Sequence, residues 1–244
     1  MALLEIKNVS KRFGGLKAVS DVTMSVEAGE IVFIVGPNGA GKTTLFNLIT
    51  SVYQADSGQV LFEGRDITRS SPDKAARLGI GRTFQIPKPL RNLTVLENVM
   101  LGGFLHTASP ARAEEEAVKV LQFLGMEKIM HVPVRGTGLA MVKRLEIARA
   151  LATKPKLILL DEVVAGLPTT EAMKLAELLQ RLPDWGIAAI GGVEHVMQVV
   201  MKIAARVVVL DHGVKIAEGK PQDVVRRPEV IEAYLGPKYK EVVK

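Results

Sequence analysis

The sequence predicts an α/β fold built around a parallel sheet, and three observations support this prediction. Residues 30–35 form a continuous apolar run of the kind that buried parallel strands show. A glycine-rich turn at 36–41 follows that run directly, and the residues after the turn have helical spacing. Further apolar runs at 157–160, 187–190 and 206–210 alternate with helical segments, which is typical of strands that are joined by helices.

The amino-terminal segment predicts two half-exposed strands before the first buried one. Leu4, Ile6 and Val9 alternate with polar residues, and the apolar residues within 22–26 repeat that alternation. A period of two indicates a strand with one face toward solvent.

The middle of the chain, residues 86–156, contains no convincing strand and is predicted to be helical. The sequence T-V-L-E at 94–97 is a capping box that opens a helix over 95–101. The dipeptide S-P at 109–110 opens a second helix, with proline at its first helical position, and Gly125 closes it.

Strands return after this helical region. The run 157–160 stops at an acidic pair, and a leucine stripe predicts a helix over about 170–182. A further helix is predicted over 196–204, and the tail, 227–244, is basic and partly helical.

The composition excludes several classes of function. The chain has 244 residues and no cysteine, which excludes a disulfide scaffold, a thiolate metal site and a cysteine nucleophile. The net charge is +6, but only 5% of the residues are aromatic, so a nucleic-acid surface that stacks on bases is not expected. A phosphate ligand and a membrane surface fit the charge better. No apolar run approaches the ~20 residues of a membrane span, and the N-terminus lacks a signal-peptide pattern.

A phosphate-binding motif follows the first buried strand. Residues 36–43 read G-P-N-G-A-G-K-T, which matches G-x-x-x-x-G-K-[ST] in full. The glycines let the backbone present N–H groups to phosphate oxygens, and the helix that follows adds its dipole. Lys42 places positive charge on the β- and γ-phosphates, and the Thr43 hydroxyl is a ligand for Mg²⁺. The strand before the motif and the helix after it are the context that nucleotide binding requires.

An acidic pair follows another buried strand. The run 157–160 ends in Asp161 and Glu162. We expect Asp161 to hold Mg²⁺ through water and Glu162 to polarise the attacking water. Acidic pairs at strand ends are common on protein surfaces, so this assignment depends on the phosphate loop.

These residues resemble the ATPase subunits of ATP-binding cassette (ABC) transporters, and the resemblance covers nearly the whole chain. Within that family the chain looks most like the ATP-binding subunits of branched-chain amino acid importers. The segments that carry the likeness are K-R-F-G-G-L-K-A-V at 11–19, G-R-T-F-Q at 81–85, R-L-E-I-A-R-A-L at 144–151, V-E-H at 193–195 and E-A-Y-L-G at 232–236.

The resemblance implies a P-loop NTPase fold, in which a RecA-like core carries an antiparallel β subdomain and a helical subdomain. It implies one cassette over 1–244. The core would comprise 1–85 and 157–218, the helical subdomain 86–156, and the C-terminal tail 219–244.

The resemblance also implies roles for site residues, with ATP and Mg²⁺ as cofactors. Phe13 matches the aromatic residue that stacks on adenine. Gln85 matches the glutamine that touches Mg²⁺ or the attacking water and faces the membrane subunit, so it joins Thr43 and Asp161 as a metal ligand. His195 matches the switch histidine at the γ-phosphate and joins the general base as a catalytic residue. The phosphate loop supplies the other contacts to ATP: Gly36, Pro37, Asn38, Gly39, Ala40, Gly41, Lys42, Thr43 and Thr44.

The resemblance implies partners as well. Such cassettes work in pairs, as homodimers or paralogous heterodimers, and two ATP molecules are sandwiched between the subunits. Each ATP is bound by one subunit's phosphate loop and by its partner's signature loop. Closure of the pair pulls on transmembrane permease subunits, and hydrolysis reopens it. The implied location is peripheral, at the cytoplasmic face of the inner membrane, and nucleic acid is not an expected partner.

Three places depart from the family pattern. The signature, L-S-G-G-Q or L-P-Y-G in this subgroup, should precede 144–151, but residues 135–142 read R-G-T-G-L-A-M-V. The expected hydroxyl and second glycine are therefore out of register. Val163 replaces the usual proline after the acidic pair, and the loop at 165–168 lacks a terminal Asp or Asn.

Three alternative functions stay open at this point. The first is the ATPase of another ABC transporter, such as a lipopolysaccharide exporter. The second is a soluble cassette ATPase of DNA repair or translation, although those usually carry long insertions or two tandem cassettes. The third is a nucleotide-binding regulatory subunit with little or no hydrolysis, which the unusual signature keeps open.

Overall fold

The computed structural model describes residues 2–84, 88–192 and 197–236, which form two β-sheets with helices packed around them. The strands are β1 (Leu4–Phe13), β2 (Leu16–Val26), β3 (Ile31–Val35), β4 (Ser57–Phe62), β5 (Arg65–Asp66), β6 (Ile80–Arg82), β7 (Leu157–Asp161), β8 (Ala188–Gly192), β9 (Arg206–Asp211) and β10 (Val214–Gly219). The α-helices are α1 (Lys42–Ile49), α2 (Pro72–Leu78), α3 (Val95–Gly103), α4 (Pro110–Phe123), α5 (Leu139–Leu151), α6 (Thr169–Leu179), α7 (Met197–Ile203), α8 (Pro221–Val224) and α9 (Pro228–Leu235).

The larger sheet has six strands in the order β10–β9–β3–β8–β7–β6, and every neighbouring pair except β10–β9 is parallel. The prediction of a parallel α/β sheet is thus confirmed. All residues of β3 are buried, because both faces of the strand are covered. Ile31, Phe33 and Val35 pack into one apolar cluster, and Val32 and Ile34 pack into the other.

The carboxyl ends of three strands meet at one edge of this sheet. Ile34 in β3 is paired with Gly192 in β8, and Gly192 is paired with Asp161 in β7. The phosphate loop after β3 therefore begins close to the acidic pair at the end of β7. Arg82, the last residue of β6, is paired with Leu159 of β7 and reaches the same edge. This is the place where open α/β sheets bind ligands.

The smaller sheet is antiparallel and has the strand order β2–β1–β4–β5. It is the antiparallel β subdomain that the resemblance implied. Its buried residues Leu4, Ile6 and Phe62 form one apolar cluster with Phe46 of α1. Patterning did not predict β4, because only Val60 and Phe62 of its six residues are buried.

Strand β8 runs further than its sequence predicts, because it continues from the apolar run through Gly191 to Gly192. Glycine ordinarily weakens a strand and marks a close approach of another group. A Cβ atom added to Gly191 would lie 2.3 Å from the ring of Phe33 in the neighbouring strand. The glycine is needed for this packing, which residue patterns do not reveal.

Among the described residues, 88–156 form α3, α4, α5 and a short 3₁₀ turn, and no strand of the two sheets. The predicted capping box opens α3: Glu97 N–H donates to Thr94 Oγ1 at 3.2 Å, and Thr94 N–H donates to Glu97 Oε2 at 2.7 Å. Ser109 caps α4 by accepting from Arg112 N–H at 3.5 Å. Gly125 follows the end of α4 with a φ of +65°.

The C-terminal elements differ slightly from their predictions. Helix α6 ends at Leu179 and not near 182, because Leu182 begins a separate 3₁₀ turn, Leu182–Trp185. Within the described part of the tail, Pro228–Leu235 forms helix α9, and the predicted tail beyond 236 lies outside the described residues. In the part of the chain that the structure describes, no helix is long and apolar enough to cross a membrane.

Candidate nucleotide-binding site

The phosphate loop is folded against two strands that only tertiary structure brings to it. Gly36 has a φ of +151°, and a Cβ atom there would lie 2.0 Å from the carbonyl oxygen of Leu210 in β9. Gly41, the N-cap of α1, has a φ of +98°, and a Cβ atom there would lie 2.3 Å from the carbonyl oxygen of Ala18 in β2. Other residue types would therefore push the loop away from both strands.

Lys42 is the first residue of α1 and is only 8% exposed. Its Nζ atom donates to the carbonyl oxygens of Gly36 at 2.7 Å and Pro37 at 2.9 Å. These bonds hold the ammonium group inside the loop. A phosphate bound by the loop would meet this positive charge together with the amino end of α1.

Four predicted residues line one small cleft at the edge of the sheet: Lys42, Thr43, Asp161 and Glu162. Asp161 is buried, and its Oδ2 atom lies 2.9 Å from Nη2 of Arg82. Its main-chain N–H donates to the Thr83 hydroxyl at 3.0 Å. The structure thus brings together the cation, the hydroxyl and the two carboxylates that nucleotide hydrolysis needs.

Glu162 has a left-handed backbone, with a φ of +50°, which is uncommon for a residue other than glycine. Its N–H donates to the carbonyl oxygen of Gly192 at 3.0 Å. Its own carbonyl oxygen accepts from Lys143 Nζ at 2.8 Å. Strained backbone of this kind is found where the surrounding structure holds a functional side chain in place.

Lys143 is a site residue that the sequence analysis missed. It belongs to α5 and is buried. Burial lowers the pKa of Lys143, while the charges of Glu162, Asp161 and Glu146 oppose that shift. Lys143 directly follows the unusual signature, 19 positions before Glu162 in sequence, and only the fold shows that the two meet.

A second cleft, of about 320 Å³, adjoins the other side of the phosphate loop. It is lined by residues 39–44 of the loop, Ala18, His212 and Phe13, and the Phe13 side chain is 42% exposed. Tyr53 packs edge-on against Phe13, with 5.2 Å between the ring centroids. An exposed ring held by a second ring is a suitable surface for stacking a base, as the resemblance implied for Phe13.

The donor set fits Mg²⁺. The Thr43 hydroxyl and the Asp161 carboxylate supply hard oxygen atoms, which this ion prefers. Within the described ranges, no three His, Asp or Glu side chains cluster so as to hold a metal without further ligands. Phosphate oxygens and water would complete the shell, as is usual for Mg²⁺ at nucleotide sites. Gln85 and His195, the other predicted metal and switch residues, lie outside the described residues.

The unusual signature lies at the amino end of α5. Gly138 is the N-cap of this helix, and Leu139, its first residue, is 47% exposed. The Thr137 hydroxyl donates to the carbonyl oxygen of Val134 at 2.8 Å. The nearest hydroxyl is therefore engaged within its own loop, and Ala140 and Met141 follow inside the helix.

A larger groove, of about 830 Å³, runs from Thr43 and Asp161 to the outer surface, and we call it the lateral groove. Its outer part carries three large apolar side chains that are 41–59% exposed: Val52, Phe84 and Leu101. Exposed apolar residues that line a concave surface are a feature of ligand grooves and of sites that bind another chain.

Comparison with known proteins agrees with this geometry. A family model described as ABC transporter matches residues 19–165, and one described as branched-chain amino acid ATP-binding cassette transporter matches 214–236. The probable branched-chain amino acid transport ATP-binding protein LivG of Archaeoglobus fulgidus is 38% identical, over 99% of this chain and 98% of that protein. The high-affinity branched-chain amino acid transport ATP-binding protein LivG of Escherichia coli K12 is 37% identical, over 96% and 98%.

A solved structure gives the same result. An ATP-binding cassette of an ABC transporter in its ADP conformation superposes with a TM-score of 0.88 at 35% identity, covering 97% of this chain and 99% of that one. The chain therefore belongs to the ABC transporter ATPase family, which confirms the resemblance drawn from its motifs. Among the members of that family, its relatives named above are ATP-binding proteins of branched-chain amino acid transport.

Proposed function

We propose that this chain is the ATP-binding and ATP-hydrolysing subunit of an ABC importer for branched-chain amino acids. The observation that carries the proposal is the meeting of Lys42, Thr43, Asp161 and Glu162 at one cleft beside the phosphate loop. The names of the relatives, at 37–38% identity over nearly the full chain, support the substrate class over an exporter's.

Each residue has a chemical task in this proposal. Phe13 stacks on the adenine, and the loop amides with Lys42 bind the β- and γ-phosphates. Thr43 and Asp161 hold Mg²⁺, which neutralises charge on the phosphates when it is bound. Glu162 orients and polarises the water that attacks the γ-phosphorus, so that ADP and inorganic phosphate leave. Gln85 and His195 retain the metal and switch roles that the family resemblance implies.

The proposal includes two kinds of partner. A second ATPase subunit would face the phosphate loop and cover the bound ATP. Transmembrane permease subunits would place a segment in the lateral groove, whose exposed apolar side chains fit such a contact. The chain would then sit peripherally, at the cytoplasmic face of the cell membrane, as one cassette with the core and helical subdomains proposed from its sequence.

One observation favours a second reading, in which this chain hydrolyses ATP weakly and mainly regulates. The amino end of α5 offers no glycine pair in register, and its nearest hydroxyl is engaged with Val134. A homodimer would present this loop at both ATP sites. A paralogous subunit with a regular signature would complete the site of this chain.

The test is reconstitution with the permease subunits that accompany this chain and with a second ATPase subunit. We expect ATP-dependent leucine uptake into proteoliposomes, and its loss when Glu162→Gln replaces the wild-type chain. Uptake that persists with Glu162→Gln at the wild-type rate would contradict the proposed role of this chain. ATP hydrolysis without uptake of any branched-chain amino acid would contradict the substrate class alone.

A further inference from the structure

The guanidinium group of Arg82 joins three elements at the edge of the sheet. Its Nη2 atom lies 2.9 Å from Oδ2 of Asp161 at the end of β7. Its Nη1 atom donates to Oδ1 of Asn47, in the last turn of α1, and, at 3.3 Å, to Oγ1 of Thr50, the C-cap of that helix. The Arg82 side chain is only 11% exposed. The proposed metal ligand and the phosphate-loop helix are thus connected through one buried cation.

Two aromatic rings lie close to the same guanidinium. Its central carbon is 5.9 Å from the ring centroid of the buried Phe46 and 5.6 Å from that of Phe84. Phe84 is 59% exposed and lines the lateral groove, as Arg82 itself does. Arg82 therefore lies between the proposed metal ligand and the surface where a permease segment would sit.

A structural ion pair is the simplest alternative, and the contacts of Asp161 argue against it. The Asp161 main chain is already fixed, because its N–H donates to Thr83 and its strand is paired with β6 and β8. The contact that Arg82 makes with Asp161 is to its carboxylate and not to its main chain. In addition, Nε of Arg82 is buried and has no hydrogen-bond partner among the described residues, which costs free energy that a purely stabilising contact need not spend.

We propose that Arg82 is a positioning residue for the Mg²⁺ site, and that Phe84 makes this residue responsive to occupancy of the lateral groove. Arg82 binds one carboxylate oxygen of Asp161 and leaves the other for the metal or its bound water. The planar fork of the guanidinium bonds to Asp161 through Nη2 and to Asn47 and Thr50 through Nη1, and an ammonium point charge does not fix these two directions together. This inference rests on the proposed function, since it needs a nucleotide site that uses Mg²⁺.

The first experiment separates metal binding from nucleotide binding. Calorimetry gives the ATP affinity of the isolated chain with excess Mg²⁺ and again with EDTA, and the ratio of the two is the gain due to Mg²⁺. In Arg82→Gln we expect that gain to fall by about 10–100-fold, the usual effect of removing a partner of a metal ligand, with the affinity in EDTA unchanged. Arg82→Lys keeps the charge without the fork, so we expect an intermediate loss, and it replaces the glutamine variant if that variant does not fold.

The matched control breaks another partly buried arginine–carboxylate pair. Arg206 binds Glu30 at 2.9 Å and sits at the start of β9, at the opposite edge of the sheet from the site. Arg206→Gln should lower the melting temperature and leave the gain due to Mg²⁺ unchanged. An equal gain in wild type and in both Arg82 variants would overturn the proposal. A wild-type chain that does not bind ATP under either condition would instead refute the proposed function.

The second experiment tests the connection to the groove. Phe84→Ala should keep the gain due to Mg²⁺ in the isolated chain, because Arg82 retains Asp161, Asn47 and Thr50. In the reconstituted transporter it should lose most of the increase in ATP hydrolysis that the permease causes. Leu101→Ala, another exposed apolar residue of the groove, is the matched control and should keep more of that increase. Equal stimulation in all three proteins would overturn the role of Phe84.

Discussion

Two helices of this protein begin in similar ways, and they differ in what holds the chain before them. Helix α1 follows the phosphate loop and has Gly41 as its N-cap, while α5 follows the unusual signature and has Gly138 as its N-cap. Added Cβ atoms at Gly36 and Gly41 would collide with the backbones of β9 and β2. At Gly136 and Gly138 such an atom would meet nothing within 4 Å among the described residues, apart from the residues next to it in sequence.

This difference suggests that the chain shapes its phosphate loop by itself but does not shape its signature loop in the same way. The shape of the phosphate loop is enforced by strands of the same chain, so it exists before any partner binds. The amino end of α5 has no such enclosure among the described residues. We infer that its conformation for catalysis depends on the facing subunit and its bound nucleotide. The phosphate loop before α1 and the signature before α5 should therefore respond differently to mutation.

The largest effect is expected at the acidic pair. Glu162→Gln should slow hydrolysis by roughly 10²-fold or more, because it removes the proposed general base, and should leave ATP affinity unchanged. Phosphate release and calorimetry measure the two quantities. Glu177→Gln, an exposed glutamate on α6, is the control and should behave as wild type. Wild-type turnover in Glu162→Gln would move the base elsewhere, with His195 the first alternative.

A smaller loss is expected at the phosphate loop. Lys42→Ala should weaken ATP binding at least tenfold, since charge-assisted contacts contribute about 1.5–3 kcal/mol each. Calorimetry checks the affinity, and a melting curve checks that the loop, which loses two bonds from Nζ, is still folded. The exposed Lys174→Ala serves as the control. Unchanged affinity in Lys42→Ala would be incompatible with the assigned site.

At the amino end of α5, we expect that replacing the unusual signature will raise the rate of ATP hydrolysis. Changing residues 137–141 to L-S-G-G-Q should raise hydrolysis by the isolated chain about fivefold, the value of one added hydrogen bond of about 1 kcal/mol. ATP affinity of the single chain should stay constant, because the phosphate loop is untouched. If the unmodified chain already hydrolyses ATP at about 1 s⁻¹ or faster, the signature is functional as it stands. The proposed difference between the phosphate loop and the signature would then be wrong.

The smallest effect on hydrolysis is expected at Lys143, which connects α5 to the acidic pair. Lys143→Met removes the Nζ group that donates a hydrogen bond to the Glu162 carbonyl oxygen, so that oxygen loses this bond. We expect the free energy of unfolding to fall by about 1–3 kcal/mol and hydrolysis to fall more than ATP affinity does. Denaturant melts and parallel kinetics measure both. With Lys174→Met as the exposed control, equal stability in the two variants would show that Lys143 does not support Glu162.

Much of the fold and the centre of the site could be predicted from local sequence. The phosphate loop is one continuous segment, so the order glycine, lysine, threonine is informative in isolation. The capping box of α3 and the acidic pair after β7 are local in the same way. Composition likewise excluded a thiolate site, because that depends only on counts.

Other features could not be predicted because they depend on residues distant in sequence. Strand β4 has too few buried residues to show a period, and β8 contains glycines that only the Phe33 ring explains. Arg82 was visible within the motif at 81–85, but its pairing with Asp161 crosses 79 positions of sequence.

The sequence by itself determined the α/β class of this protein and the position of its predicted phosphate loop, since that motif resides in a few adjacent backbone and side-chain groups. Tertiary structure alone decided what surrounds them. It placed Lys143 under Glu162, Arg82 against Asp161 and Phe84 on the lateral groove. The physical reason is that burial, ion pairing and close packing depend on distances between elements, and those distances are set only when the two sheets and the helices pack together.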